Sequence, residues 1–257
     1  LFFSFTIGKA QNTIILKRTL PIQNITHFSF DKKGNLFAAD KNSTIFKYDN
    51  TGKEIFHYSP SMPTEIANFD ATNTSQILVF SEERQEYLIL DWLLSPISNE
   101  SFDVGQFAYV SIVGQSATNL LWVLDNVNFT LSKYNIQTKK KVVETNLEFL
   151  VTNGLRPLFI KENDNFVYIS TEKNGILVFD NLGNYKKKLP YNNIDFFDFK
   201  DGNIYWNSNG EVTFFQLMNF KEQKINVVQV GHLIILNSEY YFLQKDKISI
   251  FSYETGK

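Results

Sequence analysis

Cysteine is absent from this chain of 257 residues. The protein therefore has no disulfide bond, no thiolate metal ligand and no cysteine nucleophile. Arginine is also scarce, because only Arg18, Arg84 and Arg156 occur among the 25 basic residues. A planar guanidinium binds carboxylates in ways that lysine does not, so the few arginines are candidates for specific contacts.

An excess of positive charge is missing as well. The sequence has 25 Lys and Arg against 27 Asp and Glu, which gives a formal net charge of −2. No overall positive field exists to neutralise a phosphate backbone, so we expect no nucleic-acid partner. After the first ten residues, no apolar run approaches the roughly 20 residues of a membrane helix, which predicts a mature chain without a transmembrane segment.

Sequence motifs for catalysis are not found. The chain has no Gly-x-Ser-x-Gly elbow, no phosphate-binding loop and no His-Glu-x-x-His motif. Its three histidines, His27, His57 and His232, are not spaced as metal ligands, and Asn163-Asp164-Asn165 lacks the later residues of a calcium loop. These observations favour a protein that is not an enzyme and that has no cofactor.

The first ten residues resemble the end of a secretory signal. An apolar run, Leu1 to Ile7, precedes Gly8 and Ala10, which are small residues of the kind that flank a cleavage site. We therefore expect residues 1–10 to be a signal-peptide remnant and residues 11–257 to be one mature domain. The alternative is that these residues form a first buried strand.

A faint repeat runs along the mature chain, which is rich in Phe and Tyr. Its clearest copies lie at 28–53 and 157–188, and each contains short β-favouring runs separated by Gly, Asn and Asp turns. Equivalent positions of the third run recur at intervals of 36 to 45 residues, which suits a four-stranded propeller blade. These positions are Ile45, Tyr87, Leu131, Ile176, Val212 and Ile248. The sequence thus predicts an all-β, six-bladed β-propeller of four-stranded antiparallel blades.

The two ends of the repeat region are complementary. The sixth blade has a third strand around Ile248 but no obvious fourth strand after it, whereas residues 13–20 form an unassigned strand ahead of the first blade. We expect this N-terminal strand to complete the last blade and close the ring, because closure removes exposed sheet edges.

The stretch from Gly154 to Gly183, and less fully Phe28 to Gly52, resembles the repeat of NHL, YVTN and SMP-30-type β-propellers. The shared pattern is a Pro-led strand, a central apolar strand and a third strand that ends in Asp-x-x-Gly, as in Phe179-Asp180-Asn181-Leu182-Gly183. The resemblance implies a propeller fold, but such propellers include enzymes, binders and scaffolds.

The resemblance also implies an alternative function, a metal-dependent hydrolase or lactonase of SMP-30 type that uses the central channel. In that family acidic and Asn side chains bind a divalent metal there. Asp40, Asp125 and Asn207 lie at or near the ends of second strands, where they could face the channel. Asp and Asn at strand ends also bond to their own turn backbone, which is the alternative role for these three residues.

Several other residues are candidates for partner binding. Arg84 lies in a loop with Glu82, Glu83 and Glu86, and Arg156 leads into a first strand; each is expected near a loop face or in a structural salt bridge. The segment 93–106 lengthens the second blade, and with Phe102 and Phe107 it forms a candidate contact element, unless it is only a fourth strand with a long turn.

Two lysine runs, 139–141 and 186–188, follow third-strand turns. They are interpreted either as a basic patch for anionic partners or, preferably, as charges that protect exposed outer strands. The Lys, Asn, Ile and Phe bias is similar to that of exported Bacteroidota proteins. Together these features predict a periplasmic, outer-membrane-associated or extracellular propeller that binds protein, peptide or glycan, with other envelope or secreted proteins as partners.

Overall fold

The computed structural model describes residues 13–22, 24–49, 51–117, 119–151, 154–227, 229–244 and 247–254. These residues form 24 strands in six sheets, and their one helical segment is a 3₁₀ turn at Glu148–Leu150. No helix in these ranges is long and apolar enough to span a bilayer. The predicted signal-peptide remnant at residues 1–10 lies outside the described residues.

Five sheets each contain four consecutive antiparallel strands. The first two are β2 (Ile25–Phe30), β3 (Leu36–Asp40), β4 (Ile45–Tyr48) and β5 (Glu54–Tyr58), then β6 (Asn68–Asp70), β7 (Ile77–Ser81), β8 (Glu86–Leu90) and β9 (Pro96–Ser101). The third and fourth are β10 (Val110–Gln115), β11 (Leu120–Asp125), β12 (Thr130–Asn135) and β13 (Lys140–Asn146), then β14 (Pro157–Asn163), β15 (Phe166–Thr171), β16 (Ile176–Asp180) and β17 (Tyr185–Leu189). The fifth is β18 (Asp198–Lys200), β19 (Asn203–Ser208), β20 (Glu211–Gln216) and β21 (Glu222–Asn226).

The sixth sheet joins both ends of the described chain. It contains β22 (Leu233–Leu236), β23 (Glu239–Gln244), β24 (Lys247–Glu254) and, beside β24, β1 (Thr13–Leu20). The pairing is antiparallel, with Ile15 opposite Ser252 and Leu20 opposite Ile248. The predicted six-bladed β-propeller and its closure by the N-terminal strand are therefore confirmed, and all six repeat positions fall in third strands.

The hydrophobic core is divided among the spaces between blades. The described residues contain six clusters of buried side chains, and each cluster joins two neighbouring blades. The cluster between the last and first blades contains Leu20, Phe30, Ile234 and Ile250, so ring closure is a packing contact as well as a strand pairing. The continuous apolar runs of the sequence arise because inner strands are covered on both faces.

One hairpin turn is repeated in the ring. In each copy an Asp carboxylate accepts hydrogen bonds from the backbone N–H groups two and four residues later, while the residue three positions later has positive φ. The Asp satisfies N–H groups that the tight turn leaves unpaired. The copies start at Asp31, Asp40, Asp49, Asp91 and Asp180.

Adjacent blades are also tied by buried lysines. Lys47 on β4 donates to the backbone oxygen of Trp92 at 3.0 Å, and Lys133 on β12 donates to that of Asn181 at 2.6 Å. Both lysines occupy the same repeat position, and both acceptors follow the Asp of a third-to-fourth-strand turn in the next blade. Each ammonium lies over an indole ring: Lys47 Nζ is 4.9 Å from the Trp92 centroid, and Lys133 Nζ is 4.5 Å from the Trp122 centroid. Burial lowers the pKa of both lysines.

Candidate functional site in the central channel

The first strand of each blade lies nearest the ring axis, because first strands of neighbouring sheets contact one another. Turns between second and third strands hydrogen-bond to the segments that lead into first strands, as Lys41 does with Asn24 and Glu172 with Arg156. These turns and leading segments therefore share one ring face, here named the start face. The opposite face, where first strands end, is named the far face.

A cavity of about 180 Å³ opens where first strands begin. Phe159 and Phe196 line it with ring centroids 4.9 Å apart, and His232 stacks on Phe196 at 4.8 Å with an interplanar angle of 13°. His232 Nε2 lies 3.8 Å from an Asp195 carboxylate oxygen, and this imidazole lowers the pKa of Asp195. The cavity thus combines aromatic rings with an ionisable pair.

His27 is a second imidazole in this cavity. It is half-buried on β2, and its Nδ1 lies 2.9 Å from the Thr26 hydroxyl. Burial, together with the nearby His232, lowers the pKa of His27 to about 4. His27 is therefore neutral near pH 7 and can accept or donate a hydrogen bond without carrying a charge.

A wider cavity of about 700 Å³ occupies the far end of the channel. At its inner end Lys161 forms a buried ion pair with Asp198 at 2.6 Å. Burial acts against the ammonium charge, but the carboxylates of Asp198 and Asp70 outweigh it and raise the pKa of Lys161. Glu162 accepts hydrogen bonds from the Ser116 hydroxyl at 2.7 Å and from the Trp122 indole N–H.

The residues proposed for a metal site have other roles. Asp40 bonds to its own turn, and the fully buried Asp125 accepts from the backbone N–H groups of Ala108, Val127 and Asn128. Asn207 donates to two backbone oxygens of the loop before the last blade. In the described part of the chain no group of three His, Asp or Glu residues could hold a metal ion.

The aromatic candidates of the second blade lie in the core. Phe102 is 5 % exposed and Phe107 3 % exposed, and both rings pack against Tyr134 between the second and third blades. Neither ring is available at the surface to contact a partner. The segment around them contains the fourth strand β9, which is the alternative that the sequence left open.

The two candidate arginines belong to the start face, and both form ion pairs. Arg84 lies 3.8 Å from Glu86, and its guanidinium also approaches the Met62 sulfur at 3.7 Å. Arg156 lies 3.4 Å from Glu172, although its own side chain remains 77 % exposed. The salt-bridge interpretation of both residues matches these contacts, and Arg156 keeps free surface.

Sequence reasoning missed the groups that meet in the channel. His27, Asp195 and His232 each lie at or just before the start of a first strand, but in three different blades. Aligning the blades by their first strands rather than their third strands would have placed these residues in one layer. Spacing along the chain carries no such signal.

No described protein family and no curated protein matches the sequence. Among solved structures, a streptogramin B lyase aligns with a TM-score of 0.65 at 13 % identity, covering 95 % of this chain and 98 % of the other. BamB from Moraxella catarrhalis aligns with a TM-score of 0.57 at 11 % identity, over 89 % and 85 % of the two chains. The Cps50 (Swd1) β-propeller domain of Myceliophteria thermophila gives 0.61 at 13 % identity, over 89 % and 82 %. These similarities establish the propeller class and leave the activity open.

Proposed function

We propose that this protein is an exported, non-catalytic scaffold that holds another secreted or envelope protein against its start face, as a subunit of an envelope or outer-membrane complex. The observation that carries the proposal is the bare apolar side chains on this face. Val104 is 90 % and Phe149 93 % exposed, and both lie in loops that lead into first strands. Met62, Val127 and Val230 of the same face are 59–63 % exposed, and apolar side chains gathered on one face, unlike single ones, are typical of contact surfaces.

Acidic side chains adjoin these apolar ones. Asp103 precedes Val104, and Glu148 precedes Phe149. A complementary partner segment therefore carries apolar side chains flanked by Lys or Arg, because opposite charges favour encounter and fix the register. Arg84 and Arg156 would contact the rim of such a partner.

The buried residues among the sequence-predicted candidates hold the loops of the start face in place. Phe102 and Phe107 anchor the two ends of the loop that carries Val104, and Asp125 accepts a hydrogen bond from Ala108 at the base of that loop at 2.7 Å. In this proposal Asp40 and Asp125 act by shaping loops rather than by contacting a partner.

Site-specific photo-cross-linking tests the proposal. A photoreactive phenylalanine analogue at Phe149 should give a discrete cross-linked protein in the cells that make this chain. Met218 is the matched control, because it is 89 % exposed but lies in a turn of the far face. Val104→Asp should weaken the Phe149 cross-link. Equal cross-linking from both positions, or none from Phe149, would contradict the proposal.

Export has its own test. N-terminal sequencing of the mature protein should give a chain that starts near Gln11, recovered outside the cytoplasm. A mature cytoplasmic protein that retains residues 1–10 would contradict export without affecting the contact surface.

A further inference from the structure

We propose that the far end of the channel is a binding site for a small organic cation, a primary amine that carries further hydrogen-bond donors. The inference concerns the face opposite the proposed partner surface and does not depend on it. The cavity there has about 700 Å³, which falls in the range of roughly 300–1,000 Å³ usual for small-molecule sites.

The charge of the cavity wall favours a cation. Four carboxylates and two ammonium groups line it, which leaves a net charge of −2 (two minus four). These groups are Asp70, Glu162, Asp164 and Asp198, with Lys32 and Lys161. Lys161 is already paired with Asp198 at 2.6 Å. A channel with protein walls concentrates the remaining negative field on whatever enters it.

An unsatisfied amide provides an independent indication of a ligand. Gln115, at the end of β10, lines the cavity and is 8 % exposed. Its Nε2 donates to the Gln76 backbone oxygen at 2.8 Å, whereas its Oε1 has no hydrogen-bond partner in the protein. Buried acceptors are rarely left unpaired, and because this oxygen is itself enclosed, the side chain would rotate toward the cavity to accept from a donor in the ligand.

The rest of the wall fits the same chemistry. Thr72, Asn73 and Asn163 supply neutral polar groups beside the carboxylates, and the Phe199 ring forms part of the wall. Amide and carboxylate oxygens accept from ammonium and hydroxyl donors, and an aromatic ring attracts a nearby cation. An amino sugar or a short diamine combines these features in a compact molecule.

Calorimetry and NMR with matched probes test the proposal on the whole protein. Glucosamine and putrescine should bind and should shift the Gln115 side-chain amide resonances, and glucose, which is uncharged, should bind at least ten-fold more weakly. Binding of the amines should weaken as salt is raised, because screening reduces the attraction. Equal binding of glucose and glucosamine, or no binding of either amine, would overturn the proposal.

Two substitutions with opposite expected effects locate the site. Asp164→Asn removes one negative charge at an exposed turn and should weaken amine binding on the order of three-fold, whereas Lys32→Gln should strengthen it by a similar factor. The controls are Asp201→Asn, at the corresponding turn of the fifth blade, and Lys33→Gln, neither of which lines the cavity. Changes of equal size in the controls would assign the effect to the net charge of the protein and overturn the proposed site.

Discussion

Ring closure gives His27 an environment that its neighbours in sequence do not explain. His27 begins the ring in β2, and His232 belongs to the last blade, yet both line the start-face cavity. Burial disfavours the imidazolium form, and a second imidazole nearby disfavours it further. The same cavity holds the Asp195 carboxylate, whose pKa is lowered by His232. The pKa values of His27 and Asp195 therefore both depend on His232, a side chain that is distant from His27 in sequence.

We predict that His27 titrates with a midpoint near pH 4 in an NMR titration of the imidazole C–H signals. His232→Gln should raise that midpoint, because it removes one of the two causes. A midpoint near 6.5 in the unchanged protein would show that His27 is solvated like a free imidazole.

The same shift predicts a pH dependence of stability. Between pH 6.5 and about 4, His27 is protonated in the unfolded chain but stays neutral in the folded protein. Because protons then bind the unfolded state preferentially, the free energy of unfolding should fall as pH is lowered through this window. Urea denaturation at pH 7 and pH 4.5 measures the difference, and His27→Gln should reduce it. An unchanged pH dependence in that variant would assign the loss to other groups.

At the scale of turns and strands, the repeated Asp turn lets blades with different sequences form the same type of tight hairpin. Asp31 is buried and accepts from the backbone N–H groups of Lys33 and Asn35, both at 2.9 Å. Asp31→Ala leaves these N–H groups unsatisfied and should lower the free energy of unfolding by about 2 kcal/mol. Asp31→Asn keeps one acceptor oxygen and should cost less. If chemical denaturation gave the Asp31→Asn variant a lower free energy of unfolding than Asp31→Ala, this role would be contradicted.

The first third-to-fourth-strand turn contacts the closing strand. Gly52 has a φ of +86°, and a Cβ there would lie 2.6 Å from the Leu20 side chain of β1. Gly52→Ala should therefore cost about 1 kcal/mol for backbone strain and a further 1–3 kcal/mol for overpacking. Gly202→Ala is the control, because Gly202 has a φ of +74° but open space around it. Equal destabilisation in a denaturation series would exclude a special contact at Gly52.

The sequence predicted third strands well and turns less completely. Buried third strands such as β16 read as continuous apolar runs, whereas the outer strand β5 is mostly exposed and has no such pattern. Gly52 and Gly183 mark turns clearly, but Leu94 occupies the equivalent positive-φ position, where only its burial at 3 % exposure favours leucine. Tertiary packing favours leucine at this position although leucine rarely adopts a positive φ. The usual turn residues therefore do not reveal this turn in the sequence.

At the scale of the whole molecule, the structure rests on the pairing of β1 with β24. A chain that starts at Pro21 leaves β24 as an open edge and exposes the core cluster around Ile248 and Ile250. We predict that it is less stable or aggregates, and that a synthetic peptide of residues 13–20 restores its melting temperature. The dependence would be contradicted if the truncated chain melted at the same temperature as the full chain and the peptide did not change that temperature.

The architecture was accessible from sequence because repeat length and the unpaired N-terminal strand are properties of the chain alone. The channel was not, because its residues come from first strands of different blades that only the packing of blades around the ring brings together. Lys161 on β14 and Asp198 on β18 belong to different blades, and neither stands in a motif. Predicting their contact requires knowing how these two neighbouring blades pack against each other.

The closing pair also sets an order of events during biosynthesis. At roughly 5–20 residues per second, about 10 to 50 seconds separate the synthesis of Leu20 from that of Ile248. Throughout this interval β1 has no strand partner, although it contains the apolar residues Ile14, Ile15 and Leu16. An unpaired apolar strand at the start of a nascent chain favours aggregation, so the late synthesis of β24 makes this interval the one in which the chain is most exposed to association with other polypeptides.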